Sequence, residues 1–195
     1  MGTNAADSRK RSPGMVLVVM LISMVAGSIC MNKVAPVLTN IVSDLAIANS
    51  TLSGMLMSIF VISGIFLSIP MGMLTTKYGT FKTGLFSLAA IIIGSSMGAV
   101  AGNYTLLLVS RMVEGIGLMF LATIGPAAVA SSFSDEKRGT AMGLLMCFMS
   151  FGKIIALNLA PVMAASGTWR NFWWFSAGFG AVGMVLWVIF IKGID

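Results

Sequence analysis

Residues 104–130 read YTLLLVSRMVEGIGLMFLATIGPAAVA. This apolar run exceeds the roughly 20 helical residues that a bilayer's hydrocarbon core requires. Arg111 and Glu114 are its only charged residues. A helix that is apolar on every side belongs in a membrane or a large core rather than on a soluble surface. Five more runs of the same kind flank it, at 15–42, 51–75, 81–102, 139–164 and 172–191, so six crossings nearly exhaust the 195 residues. The predicted fold class is an all-α membrane protein of six transmembrane helices. A cytoplasmic tail at 1–14 precedes a transmembrane domain at 15–192, and a cytoplasmic end at 193–195 follows it.

Composition supports this reading. Charged residues are 9% of the chain, hydrophobic residues 57%, and the mean hydropathy is +0.98, whereas soluble domains carry about 25% charged residues. The formal charge of +6 does not mark a nucleic-acid partner, because the basic residues stand singly or in short groups between apolar runs. The chain has no histidine, which removes histidine-based metal, haem and general-base chemistry, and no cofactor or metal is expected. Cys30 and Cys147 lie inside apolar runs, so no disulfide is expected. Arg9-Lys10-Arg11 resembles the charged start of a secretion signal, but the run after it is too long and lacks a small-residue cleavage site. Ala26, Gly27 and Ser28 before Cys30 suggest lipoprotein processing, and Ile29 directly before the cysteine argues against it.

Basic residues in the connections set the orientation. Arg9, Lys10, Arg11, Lys77, Lys82, Lys137, Arg138 and Lys192 fall on one side and Arg170 on the other, which predicts both termini in the cytoplasm of a cell inner (plasma) membrane. Tyr104, Trp169, Trp173 and Trp174 then mark the outer interface. Pro36, Pro70, Pro126 and Pro161 fall within the runs, where neighbouring helices can satisfy the freed carbonyls. Small residues recur every fourth position, as Gly64, Ser68 and Gly72, then Gly94, Gly98 and Gly102, then Gly139 and Gly143. These stripes predict close helix packing.

Four ionisable residues lie within the runs: Lys33, Arg111, Glu114 and Lys153. A charge at bilayer depth costs about 2.5–3.5 kcal/mol on insertion scales, so such residues face a cavity or a partner. A rise of about 1.5 Å per residue places Lys33, Arg111 and Glu114 roughly 14, 10 and 15 Å below the outer ends of their helices, and Lys153 within roughly 10 Å of the outer face. All four therefore fit one layer. Arg111 and Glu114, three apart, occupy neighbouring helix surface and can pair. That pairing leaves Lys33 and Lys153 without an acidic partner, an arrangement that a bound anion would satisfy. The competing readings are lysines that snorkel outward along their stems and an Arg111–Glu114 pair with a purely structural role.

Four stretches in order along the chain resemble the N-terminal half of the major facilitator superfamily. Gly72, Lys77, Gly79 and Lys82 resemble its loop signature after the second helix, although Thr76 stands where that signature has Asp and Thr80 where it often has Arg. Arg111-Met-Val-Glu114-Gly115 resembles its arginine-x-x-glutamine-glycine motif, with Glu114 in the glutamine position. Residues 138–143 are similar to the start of its fifth helix, and Trp169-Arg170 before Phe172 is similar to the entrance of its sixth. Residues 32–36, with Gly125 and Pro126, look most like cyanate and nitrate/nitrite porters and related organic-anion antiporters, in which a basic residue of the first helix helps to bind the anion.

The resemblance implies six helices built as a 3+3 inverted repeat, forming half of a fold that rocks around a midplane site. A second six-helix half, or a second copy of this chain, is the expected partner. The expected function is secondary transport of a small anion by alternating access, as antiporter or symporter. Lys33, Arg111, Lys153 and Asn32 are the expected substrate contacts, Glu114 the proton-coupling acid, and Gly72, Lys77, Gly79 and Lys82 the gating loop. The alternative is a non-transporting half or membrane subunit that binds a partner protein. No nucleophile, metal cluster or paired carboxylates within the runs suggest an enzyme.

Overall fold

Ser12 begins the first helix: its hydroxyl accepts from the Met15 backbone N–H at 3.3 Å, and Pro13 sits where a missing N–H does no harm. The computed structural model describes residues 12–191, apart from the side chains at 66–71. Arg9, Lys10, Arg11, Lys192, most of the 1–14 tail and the whole of the 193–195 end lie outside the described residues, and so do the side chains of Ser68 and Pro70.

Helix α1 spans Pro13–Asn32 and is not continuous to residue 42 as the apolar run predicts. Pro36 supplies the reason, since a proline ring clashes with the carbonyl four residues earlier, here that of Asn32. The chain passes Lys33 and Val34, makes a 3-10 turn at Ala35–Val37, and continues as α2, Leu38–Asp44. A stretch α3 then runs over Ser50–Ala99, started by the Asn49 side chain, which accepts from the Thr51 N–H at 2.9 Å. Helix α4 spans Tyr104–Ser132, capped likewise by Asn103. Helices α5, Asp135–Met146, and α6, Phe148–Ala165, form one run with a break at Cys147, and α7 spans Arg170–Phe190.

The stretch α3 comprises two limbs that run in opposite directions. Along its first limb, contacts with α4 advance together: Tyr104 donates to the Leu52 carbonyl, Arg111 to that of Leu56, and Gly115 lies against Phe60. Along the second limb they run in reverse, with Ser87 beside Gly117 and Gly98 beside Ser110. The chain turns at Gly79, whose φ of 78° and ψ of 169° are open almost solely to glycine. Gly79→Ala is therefore expected to destabilise the fold by about 1–3 kcal/mol. The thermal midpoint of tryptophan fluorescence in detergent reads this, because Trp187 donates to the Phe81 carbonyl close to the turn. An unchanged midpoint would contradict the need for glycine there.

Among the described residues, five helical stretches are long and apolar enough to cross a membrane: Pro13–Asp44, Gly72–Ala99, Tyr104–Ser132, Asp135–Ala165 and Arg170–Phe190. Ser50–Ile65 is a shorter apolar helix. Helix α4 packs against both limbs of α3 and against α1, and α1 packs in turn on α6 and α7. The predicted glycine packing is present in part. A Cβ at Gly94 would meet Glu114 and the Ser110 carbonyl, and one at Gly98 would meet Trp173, whereas Gly72, Gly102, Gly139 and Gly143 face open space.

A buried charge cluster at the broken end of the first helix

The break after Asn32 leaves the last carbonyls of α1 without the partners that a continuing helix would supply. Arg111, reaching across from α4, supplies some: its Nη1 donates to the Cys30 carbonyl at 2.6 Å and its Nη2 to that of Met31 at 3.5 Å. Its Nε donates to the Leu56 carbonyl at 3.4 Å. One guanidinium thus joins three helical segments, which five donors in a rigid plane make possible. The Phe60 ring lies 4.6 Å from its central carbon.

Arg111 Nη1 also donates to Glu114 Oε2, as the three-residue spacing predicts. The other carboxylate oxygen accepts from Lys33 Nζ at 2.6 Å and from Ser95 Oγ at 2.8 Å. This corrects the expectation that Lys33 lacks an acidic partner. Lys33 further donates to Ser95 Oγ at 3.1 Å, approaches Cys30 Sγ at 3.8 Å, and lies 4.6 Å from the Trp173 ring centre. Lys33, Arg111, Glu114 and Ser95 are all completely buried. Lys33 therefore does not snorkel outward.

The cluster holds two cations and one carboxylate in a low-dielectric interior, leaving one net positive charge. Carbonyls at the negative end of α1 and two aromatic faces offset that excess. Both buried cations have Glu114 as an acidic partner without a bound anion, which removes the premise that Lys33 stands unpaired. Trp173 Nε1, beside this cluster, is buried without a hydrogen-bond partner among the described residues. Sequence reasoning missed Ser95, Cys30, Phe60 and Trp173. The one signal for them was Gly94 and Gly98, which let α4 and Trp173 approach the second limb of α3 closely enough for Ser95 to reach Glu114.

The remaining predicted residues lie elsewhere. Lys153 is exposed on α6 and does not join the cluster, so the four ionisable residues do not form one group. Gly152 beside it packs against Ser28 of α1, and the lysine points off that contact face. Asn32 is half-buried and donates to the Ser28 carbonyl of its own helix at 2.8 Å. Gly72, Lys77 and Lys82 are exposed around the Gly79 turn, and Lys77 lies over the Tyr78 ring. A groove of about 460 Å³ opens there between the two limbs of α3 and α4, lined by Leu74, Tyr78, Lys82, Phe86, Ile116 and Phe120 among others. At the opposite end, Arg170 pairs with Asp44 at 2.7 Å and donates to the Ala101 carbonyl, tying α2, the end of α3 and the start of α7 together.

Membrane-length helices, one of them broken beside a buried cluster of charges, define a multi-pass membrane protein. Residues 15–194 match the model of the Major Facilitator Superfamily, and the chain belongs to that family. The chain is similar to Azole resistance protein 1 of Saccharomyces cerevisiae, 22% identical over 189 residues, which cover 96% of this chain and 31% of the relative. It is also similar to Lincomycin resistance protein LmrB of Bacillus subtilis, 21% identical over 193 residues, covering 99% of this chain and 40% of the relative. A third relative, MFS transporter L2 of a Phoma species, is 28% identical over 106 residues, covering 54% and 18%. The chain thus spans well under half the length of these relatives. The family is one of transporters, and the chain is not an enzyme.

Proposed function

We propose that the chain is a six-helix half, with a 3+3 inverted repeat, of a secondary transporter that moves a small anion by alternating access. In this reading both termini are cytoplasmic and the protein sits in the cell inner (plasma) membrane. The observation that carries it is the sharing of one carboxylate, Glu114, by two buried cations. When Glu114 takes up a proton it can no longer neutralise either cation, and Lys33 and Arg111 become free to hold an anion at the broken end of α1. Broken helices that place their ends at a midplane site are the usual means by which such transporters bind charge. Proton and anion would then travel together or exchange, according to which conformation admits each.

A second six-helix half, or a second copy of this chain, completes the cavity. The exposed apolar residues Met149, Phe151, Ile154, Leu157 and Val162 on α6 offer a surface for it, with Lys153 among them as a second cationic contact. Asn32 borders the site, and the turn bearing Gly72, Lys77, Gly79 and Lys82 acts as the inner gate. Proteoliposomes loaded under an imposed pH gradient test this with a panel of labelled inorganic and organic anions. Lys33→Ala and Arg111→Ala are each expected to lower flux by about tenfold or more, the usual scale for losing a charge-assisted hydrogen bond. Undiminished flux in both variants would remove the substrate role.

A second reading has a specific support. The two relatives aligned over nearly the whole chain are named for resistance to azoles and lincomycin, which suggests an organic compound of that kind as the transported solute. Flux of such compounds without anion flux in the same vesicles would favour it. A non-transporting membrane subunit is the remaining alternative. A strict monomer by native mass measurement, with no flux of any kind, would favour that one.

A further inference from the structure

The groove at the Gly79 turn combines two features that the charge cluster does not use. Its walls are apolar, from Leu74 and Tyr78 on the first limb of α3, Phe86 on the second, and Ile116 and Phe120 on α4. Its volume, about 460 Å³, lies in the range of sites that hold small molecules. One residue of the rim, Lys82, is basic and exposed, and Lys77 stands exposed on the preceding turn. No Asp or Glu occurs in residues 72–86, and neither lysine takes part in a salt bridge among the described residues. The groove flanks the Gly79 turn, which in the reading proposed above lies at the cytoplasmic surface of the bilayer, so that the groove runs from that surface toward the hydrocarbon.

We propose that this groove is a binding site for an anionic phospholipid, with one acyl chain along Phe86, Ile116 and Phe120 and the phosphate at Lys82. The complementarity is of both kinds. A ligand that is purely apolar leaves the lysine rim unused, and a free phosphate leaves the apolar walls unused. Basic pockets between helices at the cytoplasmic surface select anionic headgroups, each lysine adding attraction that amounts to about fivefold in affinity. The site is separate from the transport cluster and does not depend on the solute carried.

The test uses the full chain in mild detergent, mixed with phosphatidylglycerol or phosphatidylcholine, with retained lipid counted by native mass spectrometry. The expected result is retention of phosphatidylglycerol about fivefold above phosphatidylcholine. Lys82→Gln abolishes that preference while Lys82→Arg keeps it, and Ile116→Trp, which fills the groove, lowers retention of both lipids. Added inorganic phosphate leaves retention unchanged. Equal retention of the two lipids by the unmodified protein would overturn the proposal. So would a preference that survives Lys82→Gln, or displacement by inorganic phosphate. Lys82 is exposed and its substitution is compatible with folding, so the result does not depend on the bulkier Ile116 variant. Anion flux is not measured, and failure here leaves the transport reading standing.

Discussion

Replacing Glu114 with alanine is expected to be the most damaging single change at the charge cluster, lowering stability by about 3–5 kcal/mol, the range for stranding buried charge by removing one partner. The ordering of variants is more diagnostic than the size. Glu114→Ala leaves Lys33 and Arg111 together with no anion in a fully buried site. Lys33→Met leaves Arg111 and Glu114 as a balanced pair, so its effect is expected to be small. Arg111→Ala leaves Lys33 balanced by Glu114 but strips donors from the Cys30, Met31 and Leu56 carbonyls, which places it between the two. Combining Glu114→Ala with Lys33→Met is expected to recover part of the loss, since one stranded cation is removed. Thermal midpoints in detergent give the series. If Lys33→Met proves as harmful as Glu114→Ala, charge balance is not what holds the cluster together.

Gly115→Val is expected to destabilise the bundle by about 3 kcal/mol, the upper part of the range for overpacking. Even a lone Cβ at this position would stand 2.2 Å from the Phe60 carbonyl oxygen and 2.5 Å from Ser63 Oγ. The obstacle is chiefly backbone, which cannot swing aside as a side chain does. The first limb of α3 would have to move away from α4, taking the Leu56 carbonyl and the Phe60 ring off Arg111. Gly139→Ala, where nothing stands within 4 Å, is the control and is expected to leave stability unchanged. Equal midpoints for the two variants would show that the limbs are not in the contact described.

Part of the site was legible in the chain. Arg111 and Glu114 are three residues apart, and that spacing alone brings them together on any α-helix. The end of α1 was also legible, because the ring of Pro36 obstructs the Asn32 carbonyl, yet tolerance of proline in membranes masked the signal. Lys33 and Lys153 show what was not. Rise per residue locates a side chain in depth but not in azimuth, so similar depth does not make two residues neighbours. In the fold one is sealed against α4 and the other exposed on α6.

The amino-acid sequence by itself determined that the chain belongs in a membrane, because hydropathy is a local property that adds along a run. It also set a break between the apolar runs at 51–75 and 81–102, and the chain reverses inside that break, at Gly79. Only the tertiary structure decided that Lys33 takes Glu114, 81 positions away, as its partner. That choice depends on how α1 and α4 rotate about their axes and on how closely Gly94 lets the second limb of α3 approach Glu114. Contacts spread over several helices set those quantities, and no single stretch of sequence contains them.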